Sequence, residues 1–449
     1  MTAKIINRRK LLAGLAAAAA PTLARAAAPI SAFGIDAAQL GVRPGSPDDQ
    51  TRALQRAIDQ AAAAHAPLAL APGTYRAGDL ILPAGAQIRG IRGETRLVST
   101  GARPVFTAPQ TNSVTISGLV IDGVGARLPE RLGLISLMNG RAARVEDCAL
   151  NASGGHGLSL DGVAGDILGC TIADAADVGI ISFDAKGLTI ARNIVRSAGN
   201  NGIQILRSLA GEDATMVVDN RIEDIRNVSG GTGQFGNGIN AFRAHHVIVA
   251  RNRIDRCAFS AVRGNSANDI EITGNSCSNL GEVALYSEFG FTGAVIAHNT
   301  VDGALIGVSV ANFNKGGRIA VVQGNILRNL ARHPGQTEAE NGIGIYVEAD
   351  TAVTGNVVEN AEFAGIMAGW GPYLRDVTVM GNVVRTSPIG VGVSVVPGAG
   401  GAVIADNMIT GARRGAILGM DHLEVISDDL AKTGAARYAQ LAISGNQVN

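Results

Sequence analysis

The 449-residue chain combines 46% hydrophobic residues and 59 glycines with only 4% aromatic residues. Its 38 basic and 38 acidic residues cancel, which argues against the basic surface of a nucleic-acid-binding protein. Many glycines together with many Ile, Val and Ala residues favour short strands and tight turns that repeat often. An internal repeat is therefore the first hypothesis to test.

Residues 1–28 have the features of an export signal. Arg8-Arg9 precede an apolar run that ends at Ala20, and Ala24-Arg25-Ala26 fits the small-residue rule for cleavage before Ala27. The apolar run is too short to span a bilayer. The pattern predicts a twin-arginine signal peptide, recognised by the twin-arginine export machinery. It also predicts a periplasmic or secreted mature protein with no membrane span; an Ala-rich helix of a cytoplasmic protein is the alternative.

Residues 29–100 are predicted to form an N-terminal cap and the first coils of a repeat. Ser46-Pro47-Asp48-Asp49 is typical of a helix N-terminus. The helix is predicted to continue from Thr51 to Ala64, with its apolar face made by Leu54, Ala57, Ile58 and Ala61. An open solenoid end exposes apolar side chains, so we expect this helix to cover it.

Residues 101–449 carry a repeat with a period near 25 residues. Its marker is a β-branched residue, two spacers, Asn, one spacer and an aliphatic residue. The marker asparagines are Asn193, Asn220, Asn252, Asn275, Asn299, Asn325, Asn356, Asn382, Asn407 and Asn446. The same slot holds Leu119, Cys148 and Cys170 in earlier repeats, and all thirteen residues three positions before it are Ile or Val.

This period with β-branched residues predicts one coil of short strands per repeat, stacked about 4.8 Å apart. The predicted fold is all-β: a right-handed parallel β-helix of about thirteen coils with an α-helical cap. Stacked asparagines satisfy one another, so we interpret them as structural. The last spacing, of 39 residues, predicts an insertion near 411–441, with a short helix between Ser427 and Leu441.

A second strand, usually opened by glycine, precedes each marker strand. Alternation along it predicts a mildly polar outer stripe of Ser159, Gln204, Asn240, Ser309 and Ser394. Cys148 and Cys170 lie in one slot on consecutive coils, near enough for a disulfide. Stacked side chains point the same way, however, which favours two free thiols.

The N-terminal region resembles the pectate lyase-like superfamily. Gly41-Val42, the helix Asp48–Asp59 and Pro72-Gly73-Thr74-Tyr75 carry this resemblance, which is specific over 35–90 and architectural beyond. It implies a right-handed β-helix, many of which act on polysaccharides. The export signal with ladder repeats also resembles an uncharacterised family of twin-arginine-translocated repeat proteins. Gly154-Gly155-His156-Gly157 is similar to a G-H-G element of polygalacturonases, but their other motifs are absent.

Two groups of residues are candidates for chemistry. Asp161 and Asp184 each lie nine residues before their marker slots, so they are predicted to stack with carboxyls near 5 Å apart. The other candidate catalytic residues are His156, Lys186 and Arg207. Such a carboxylate pair suits a retaining glycosidase, or Ca²⁺ held against a uronate with a nearby base. Solvated turn aspartates are the alternative, and no other metal or cofactor motif occurs.

The second group consists of scarce aromatic and charged residues in the later coils, in long turns over 287–293, 311–318 and 369–375. Predicted substrate-binding residues are Arg243, Arg263, Glu288, Phe289, Phe313, Glu348, Trp370 and Tyr373. Exposed rings would stack on sugars, the carboxylates would accept hydroxyl hydrogens, and the arginines would pair with an acidic glycan. Small satellite cores built around each ring are the alternative.

Together these patterns predict an exported β-helix that acts on or binds polysaccharide. They do not separate a hydrolase, a lyase and an epimerase. A non-catalytic glycan-binding or envelope structural protein is the alternative.

Overall fold

The computed structural model describes residues 30–31, 33–110, 112–331 and 342–449. Within them the chain forms a parallel β-solenoid of about 13 turns, which confirms the predicted fold class. Each coil contributes strands to three stacks, here called sheets 1, 2 and 3 in their order along a coil. The predicted signal peptide over 1–28 lies outside the described residues.

Sheets 1 and 2 are joined because two long strands, Gly133–Glu146 and His156–Leu168, run through both. The other strands of sheet 1 are Leu80–Ile81, Phe106–Ala108, Ile180–Phe183, Ile203–Glu212, Ile239–His245, Val262–Asn265, Val283–Glu288, Ile306–Val310, Ile343–Val347, Ala364–Ala368, Ile389–Ser394, Gly415–Asp421 and Glu424–Asp429. The other strands of sheet 2 are Ile30–Ser31, Gly34–Asp36, Leu68–Ala69, Gln87–Arg89, Thr115–Ser117, Leu188–Ala191, Met216–Val218, Ile248–Ala250, Ile270–Thr273, Thr292–Ala297, Arg318–Gln323, Thr351–Thr354, Val377–Met380, Ala402–Ala405 and Leu441–Ser444.

Sheet 3 is a separate stack of 15 parallel strands. Its strands are Gly73–Arg76, Thr95–Val98, Leu119–Asp122, Ala149–Asn151, Thr171–Ala173, Ile194–Arg196, Arg221–Ile225, Arg253–Cys257, Ser276–Leu280, Thr300–Ala304, Ile326–Leu330, Val357–Ala361, Val383–Arg385, Met408–Thr410 and Gln447–Val448. We call the bend from sheet 1 to sheet 2 turn 1, the bend from sheet 2 to sheet 3 turn 2, and the return from sheet 3 to sheet 1 turn 3.

The asparagine ladder lies at turn 2 in a single file, as predicted. Asn275 donates from Nδ2 to Asn299 Oδ1 at 3.0 Å, and Asn299 donates likewise to Asn325 at 3.0 Å. Each amide also donates to a main-chain carbonyl of sheet 2, as Asn299 does to Ile272 at 2.9 Å. The buried polar groups of this bend are therefore satisfied from coil to coil.

The four cysteines are free and buried. Cys148 and Cys170 lie in the ladder slot, where each thiol approaches main-chain carbonyls of its own and the preceding coil. Cys277 lies in the core, as its inward column predicts.

The free thiols give a direct prediction. The chain denatured without reductant is expected to show four reactive thiols in a colorimetric thiol titration, because parallel stacked side chains suit a disulfide poorly. A reduced sample provides the control, and a count of two before reduction would contradict the structure.

The predicted cap helix is confirmed and runs over Thr51–Ala63. Its buried face consists of Leu54, Ala57, Ile58 and Ala61, which pack on the first strands. The predicted start was too early: Ser46 does not cap the helix, and the Asp49 carboxylate instead accepts from the Thr51 amide at 2.8 Å. A 3₁₀ turn, Ala37–Leu40, lies beside the helix.

The C-terminal insertion differs from its prediction. The segment Glu424–Asp429 is a strand that pairs antiparallel with Gly415–Asp421, and the helix is a single turn, Leu430–Thr433. Asp429 explains this arrangement, because its carboxylate accepts main-chain amides of Ala416, Ile417 and Ala431 and so fixes the hairpin to the helix start. The hairpin covers the last edge of sheet 1.

Candidate functional site

The outer surface of sheet 1 carries two columns of side chains in register. The column nearer turn 3 includes Ser136, Ser159, Ile181, Gln204, Asn240, Arg263, Tyr286, Ser309, Tyr346 and Met367. The predicted polar stripe is thus confirmed for four of its members. Ser394 is the exception, since it lies two residues further along, in the column nearer turn 1, opposite Met420.

The predicted stack of Asp161 on Asp184 is wrong. Register places Phe183 beside Asp161, and Asp184 is the next residue, already in turn 1 with a positive φ. The prediction failed because it counted nine residues back from each marker slot. This count assumes that turn 1 has the same form in both coils, and it does not. Asp161 instead lies 3.9 Å from Arg131. The geometry therefore provides no support for a retaining carboxylate pair at these residues.

His156 lies away from Asp184, at the turn-3 end of its sheet-1 strand. It is buried, and its Nδ1 accepts the Val178 amide at 3.2 Å, which places the ring proton on Nε2. Burial lowers the pKa of His156, and the opposing influence of Asp177 does not restore it. The imidazole is therefore neutral near pH 7. It lines a polar cleft with Asp177 and Arg131.

Asp184, Lys186 and Arg207 do come together at turn 1. Asp184 accepts the Ser208 amide at 2.9 Å and its hydroxyl at 2.6 Å. Burial alone would raise the pKa of Asp184, but the bonds from Ser208 and the nearby Arg207 more than offset it, so the pKa is lowered. Asp184 is an ionised anchor for the next loop rather than a proton donor.

Sequence reasoning missed Asp213, which is buried in the same turn. Its carboxylate accepts from the Thr215 hydroxyl. Burial raises the pKa of Asp213, opposed by Thr215 and Arg207. The strand Ile203–Glu212 is unusually long, so Asp213, which follows it, does not fall at a repeat position. The spacing of the repeat therefore did not identify it.

A cleft of about 460 Å³ opens on sheet 1 above Arg263; we call it the Arg263 cleft. Its walls carry three aromatic rings, Phe235, Phe242 and Phe289. Amide side chains lie between the rings: Gln204, Gln234, Asn240 and Asn265. Flat apolar rings interleaved with amides form the kind of surface that contacts sugar faces and hydroxyls.

Arg263, which lines this cleft, forms a buried ion pair with Glu288. The guanidinium Nε donates to Glu288 Oε1 at 2.7 Å, and Asn265 donates to the same oxygen at 2.8 Å. Glu282 lies 3.5 Å from the other side of the guanidinium. Burial alone would lower the pKa of Arg263, but these carboxylates more than offset it and the pKa is raised.

A loop over 226–237, between sheets 3 and 1, closes one side of the cleft. A Cβ atom on Gly233 would overlap Nη1 of Arg263, and Gly233 has a φ of +134°, so glycine is required for this approach. Asn240 donates to the Gln234 carbonyl at 3.0 Å and ties the loop to the sheet. In the sequence, this loop is indicated by the spacing of 32 residues between the marker asparagines Asn220 and Asn252, which exceeds the usual period near 25.

Basic side chains border the cleft on its turn-1 side. The Arg243 guanidinium lies 4.7 Å from the ring centre of Phe242, which lines the cleft. Arg243 and Arg207 donate to the main-chain carbonyls of Ser208 and Leu209. Within the described ranges, no carboxylate lies within ion-pair distance of Lys186 or Arg243, so their positive charges face solvent largely unpaired. The charge of Arg207 acts on the nearby carboxylates of Asp184 and Asp213.

The remaining predicted binding residues form a separate group in later coils. Glu348 accepts from the Tyr346 hydroxyl at 2.5 Å and from the Phe313 amide at 2.6 Å, so both of its oxygens already hold the fold together. Phe313 lies under the Arg375 guanidinium at 4.5 Å. This arrangement matches the satellite-core alternative rather than a sugar platform.

Trp370 and Tyr373 also pack within the protein. The indole contacts Tyr346 and His422 edge-on, at centroid distances of 6.2 and 5.0 Å. Main-chain bonds between Trp370 and Tyr373 close a tight turn. The Trp370 ring thus links the C-terminal hairpin to sheet 1. Of the predicted aromatic residues in the described ranges, only Phe289 lines the Arg263 cleft.

In the portion of the chain that the structure covers, no three His, Cys, Asp or Glu side chains are grouped so as to hold a metal ion. None of the helices described has the length and apolar character needed to cross a bilayer.

The sequence profile of the family described as right-handed beta helix region matches residues 105–235, 157–326 and 208–384. Together these overlapping matches run from 105 to 384, more than half of the chain. The chain belongs to this right-handed β-helix family. No curated protein matches this β-helix chain.

Several solved structures share the fold of this β-helix protein at low sequence identity. ORF18 of Geobacillus virus E2 is 15% identical with a TM-score of 0.43, over 64% of this chain and 57% of that one. The pre-mature gene product 12 of bacteriophage phi29 is 13% identical with a TM-score of 0.49, over 85% and 53%. The catalytic unit of a GH87 α-1,3-glucanase from Streptomyces thermodiastaticus is 17% identical with a TM-score of 0.47, over 94% and 70%. The chain thus spans little more than half of each phage protein, and these likenesses concern the fold alone.

Proposed function

We propose that this β-helix protein binds an acidic polysaccharide across the outer surface of sheet 1. The carrying observation is the juxtaposition of the Arg263 cleft with the basic border of turn 1. The cleft offers rings and amides for a sugar unit, and the border offers the solvent-facing cations of Arg243 and Lys186 for its carboxylate.

The cleft itself suits a sugar better than an anion. Arg263 is balanced by Glu288 and Glu282, so it adds no net positive charge to the cleft. The amides of Gln204, Asn240 and Asn265 line the cleft and suit sugar hydroxyls. Phe242 and Phe289 supply apolar surface for the carbon skeleton of a pyranose ring.

The border supplies the preference for acidic sugars. Arg243 lies beside Phe242, so a carboxylate on a sugar in the cleft is within reach of its guanidinium. Arginine donates two parallel N–H groups to a carboxylate, and such charge-assisted bonds are stronger than neutral ones. Arg207 and Lys186 continue the positive surface along turn 1, which suits a chain with repeated carboxylates.

Binding is better supported than turnover. Asp161 and Asp184 do not face each other, and Asp184 has a lowered pKa that unsuits it as a general acid. Binding, by contrast, requires only the basic residues that already border turn 1. Chromatography of the glycan after incubation separates the two functions, because an enzyme leaves a new product and a binding protein returns the glycan unchanged.

Affinity for an oligogalacturonate hexamer tests this proposal. The hexamer is expected to bind, and Arg243→Gln is expected to weaken it by roughly tenfold, the equivalent of about 1.4 kcal/mol for one charge-assisted contact. Isothermal titration at low salt measures both. The fully methyl-esterified hexamer keeps the sugar rings and loses the negative charge. It is expected to bind wild type and Arg243→Gln with similar, weak affinity.

Arg221→Gln is the matched control, because Arg221 is an exposed arginine on sheet 3. Equal affinity of wild type for the free acid and the methyl ester would contradict the acidic preference. If neither the free acid nor the methyl ester binds to wild type, the proposed site is wrong.

We also propose that the protein meets its glycan outside the cytoplasm, after export by the twin-arginine route and removal of residues 1–28. The support is Arg8-Arg9, the short apolar run and Ala24-Arg25-Ala26. The same residues support membership of the twin-arginine-translocated repeat family. Replacing both arginines with lysine and locating the protein by cell fractionation tests this: retention in the cytoplasm is expected, and unchanged export would contradict it.

A further inference from the structure

The outer surface of sheet 3 changes character along the solenoid. From Arg221 onward, one outward column consists of Arg221, Arg253, Ser276 and Thr300, followed by four aliphatic residues. The aliphatic residues, on consecutive coils in register, are Ile326, Val357, Val383 and Met408. Ile326 and Met408 are 47% and 48% exposed. Val357 is also exposed and Val383 is half-buried. An in-register row of accessible aliphatic side chains on a regular sheet marks an interaction surface.

The next outward column of the same strands alternates in charge. It consists of Asp302, Arg328, Glu359 and Arg385, stacked in that order. Arg328 pairs with Asp302 at 2.9 Å and Arg385 with Glu359 at 3.5 Å. All four side chains remain 38–58% exposed, so each charge still faces solvent.

We propose that this surface binds a second copy of the chain, with the two solenoids antiparallel. A twofold axis parallel to the strands keeps each column opposite itself and reverses its order. Asp302 then faces Arg385 of the other copy, and Arg328 faces Glu359. In the same register Ile326 meets Val357 of the other copy, and Val383 lies opposite Thr300. A twofold axis along the solenoid would leave the charged columns without opposite charges, so the alternation selects the antiparallel arrangement.

The size of the patch sets the strength of this association. Five coils at about 4.8 Å spacing span roughly 19 Å, and two columns of side chains cover a few hundred Å². Stable complexes bury about 800 Å² per partner. The pairing is therefore reversible and depends on protein concentration, and it leaves sheet 1 free.

Sedimentation velocity of the full chain over a concentration series tests this inference, independently of any glycan. Wild type is expected to shift from monomer to dimer as concentration rises. Arg328→Glu and Glu359→Arg are each expected to weaken dimerisation by about tenfold or more, because each brings two pairs of like charges together across the twofold axis. In an equal mixture of the two variants every charge again faces its opposite, so the mixture is expected to dimerise.

Arg221→Glu is the control, since Arg221 lies on the same sheet outside the aliphatic row, and it is expected to dimerise like wild type. Circular dichroism establishes that each variant is folded. Wild type that stays monomeric at the highest concentration would overturn the proposal. So would variants that dimerise as well as wild type, or a mixture that does not regain dimerisation.

Discussion

Replacing Arg263 with alanine is expected to lower the free energy of unfolding by roughly 3–5 kcal/mol. The guanidinium is the only charge-compensating group within bonding distance of Glu288 among the described residues, and Glu288 is 2% exposed. Removing it leaves a buried carboxylate without its cation, and Glu282 loses its partner as well. Urea denaturation followed by circular dichroism measures the change.

Two comparisons separate this cause from a general loss of packing. Arg251 pairs with Asp219 on the surface, so Arg251→Ala is expected to leave the stability nearly unchanged. The double variant Arg263→Met, Glu288→Gln removes both charges and is expected to recover much of the lost stability. If the single and double variants unfold alike, the ion pair is not what stabilises this part of the cleft.

Replacing Asn299 with alanine is expected to cost roughly 3–5 kcal/mol as well, at about 1–3 kcal/mol for each buried group left unpaired. Its Oδ1 accepts two bonds from Asn275, and its Nδ2 donates to Asn325 and to the Ile272 carbonyl. The substitution therefore removes bonds from groups in both neighbouring coils at once, that of Ile272 and Asn275 and that of Asn325. Because coils of a solenoid contact only their neighbours, we expect the loss to appear first as local opening of those coils.

Asn314→Ala provides the control, since Asn314 is exposed in a 3₁₀ turn and is expected to change stability by no more than about 0.5 kcal/mol. Thermal and urea unfolding of the two variants measure the difference. Equal stability of the two would contradict the role assigned to the ladder.

The fold followed from the sequence because its repeat is local and periodic. A polar residue persists at one slot of an otherwise apolar pattern, and the only economical explanation is a file of asparagines that satisfy one another. The cap helix followed for a similar reason, since its apolar face is visible in its own spacing. The C-terminal helix was overestimated because an antiparallel strand and a helix share the segment, and the bonds of Asp429 decide where one ends.

The site was predicted only in part, because it depends on where coils depart from the average. Counting residues stacked Asp161 on Asp184, whereas the structure pairs Asp161 with Phe183. A shift of one position decides whether a side chain lies on the sheet or in the turn. Arg243, Arg263, Glu288 and Phe289 were selected by type and do gather at one cleft. Phe235 lies in the long loop and Phe242 on the adjacent strand, and the packing of the loop over Arg263 is a tertiary contact that no repeat pattern contains.

Glycan binding across sheet 1 is tested most directly by a hydrogen–deuterium exchange footprint of the oligogalacturonate hexamer on the full chain. We expect slower exchange over 207–211, at the turn-1 end of the strand Ile203–Glu212, and in the loop over 226–237, with no change in sheet 3. Protection confined to sheet 2 or sheet 3, or no protection at a hexamer concentration that saturates binding, would contradict it.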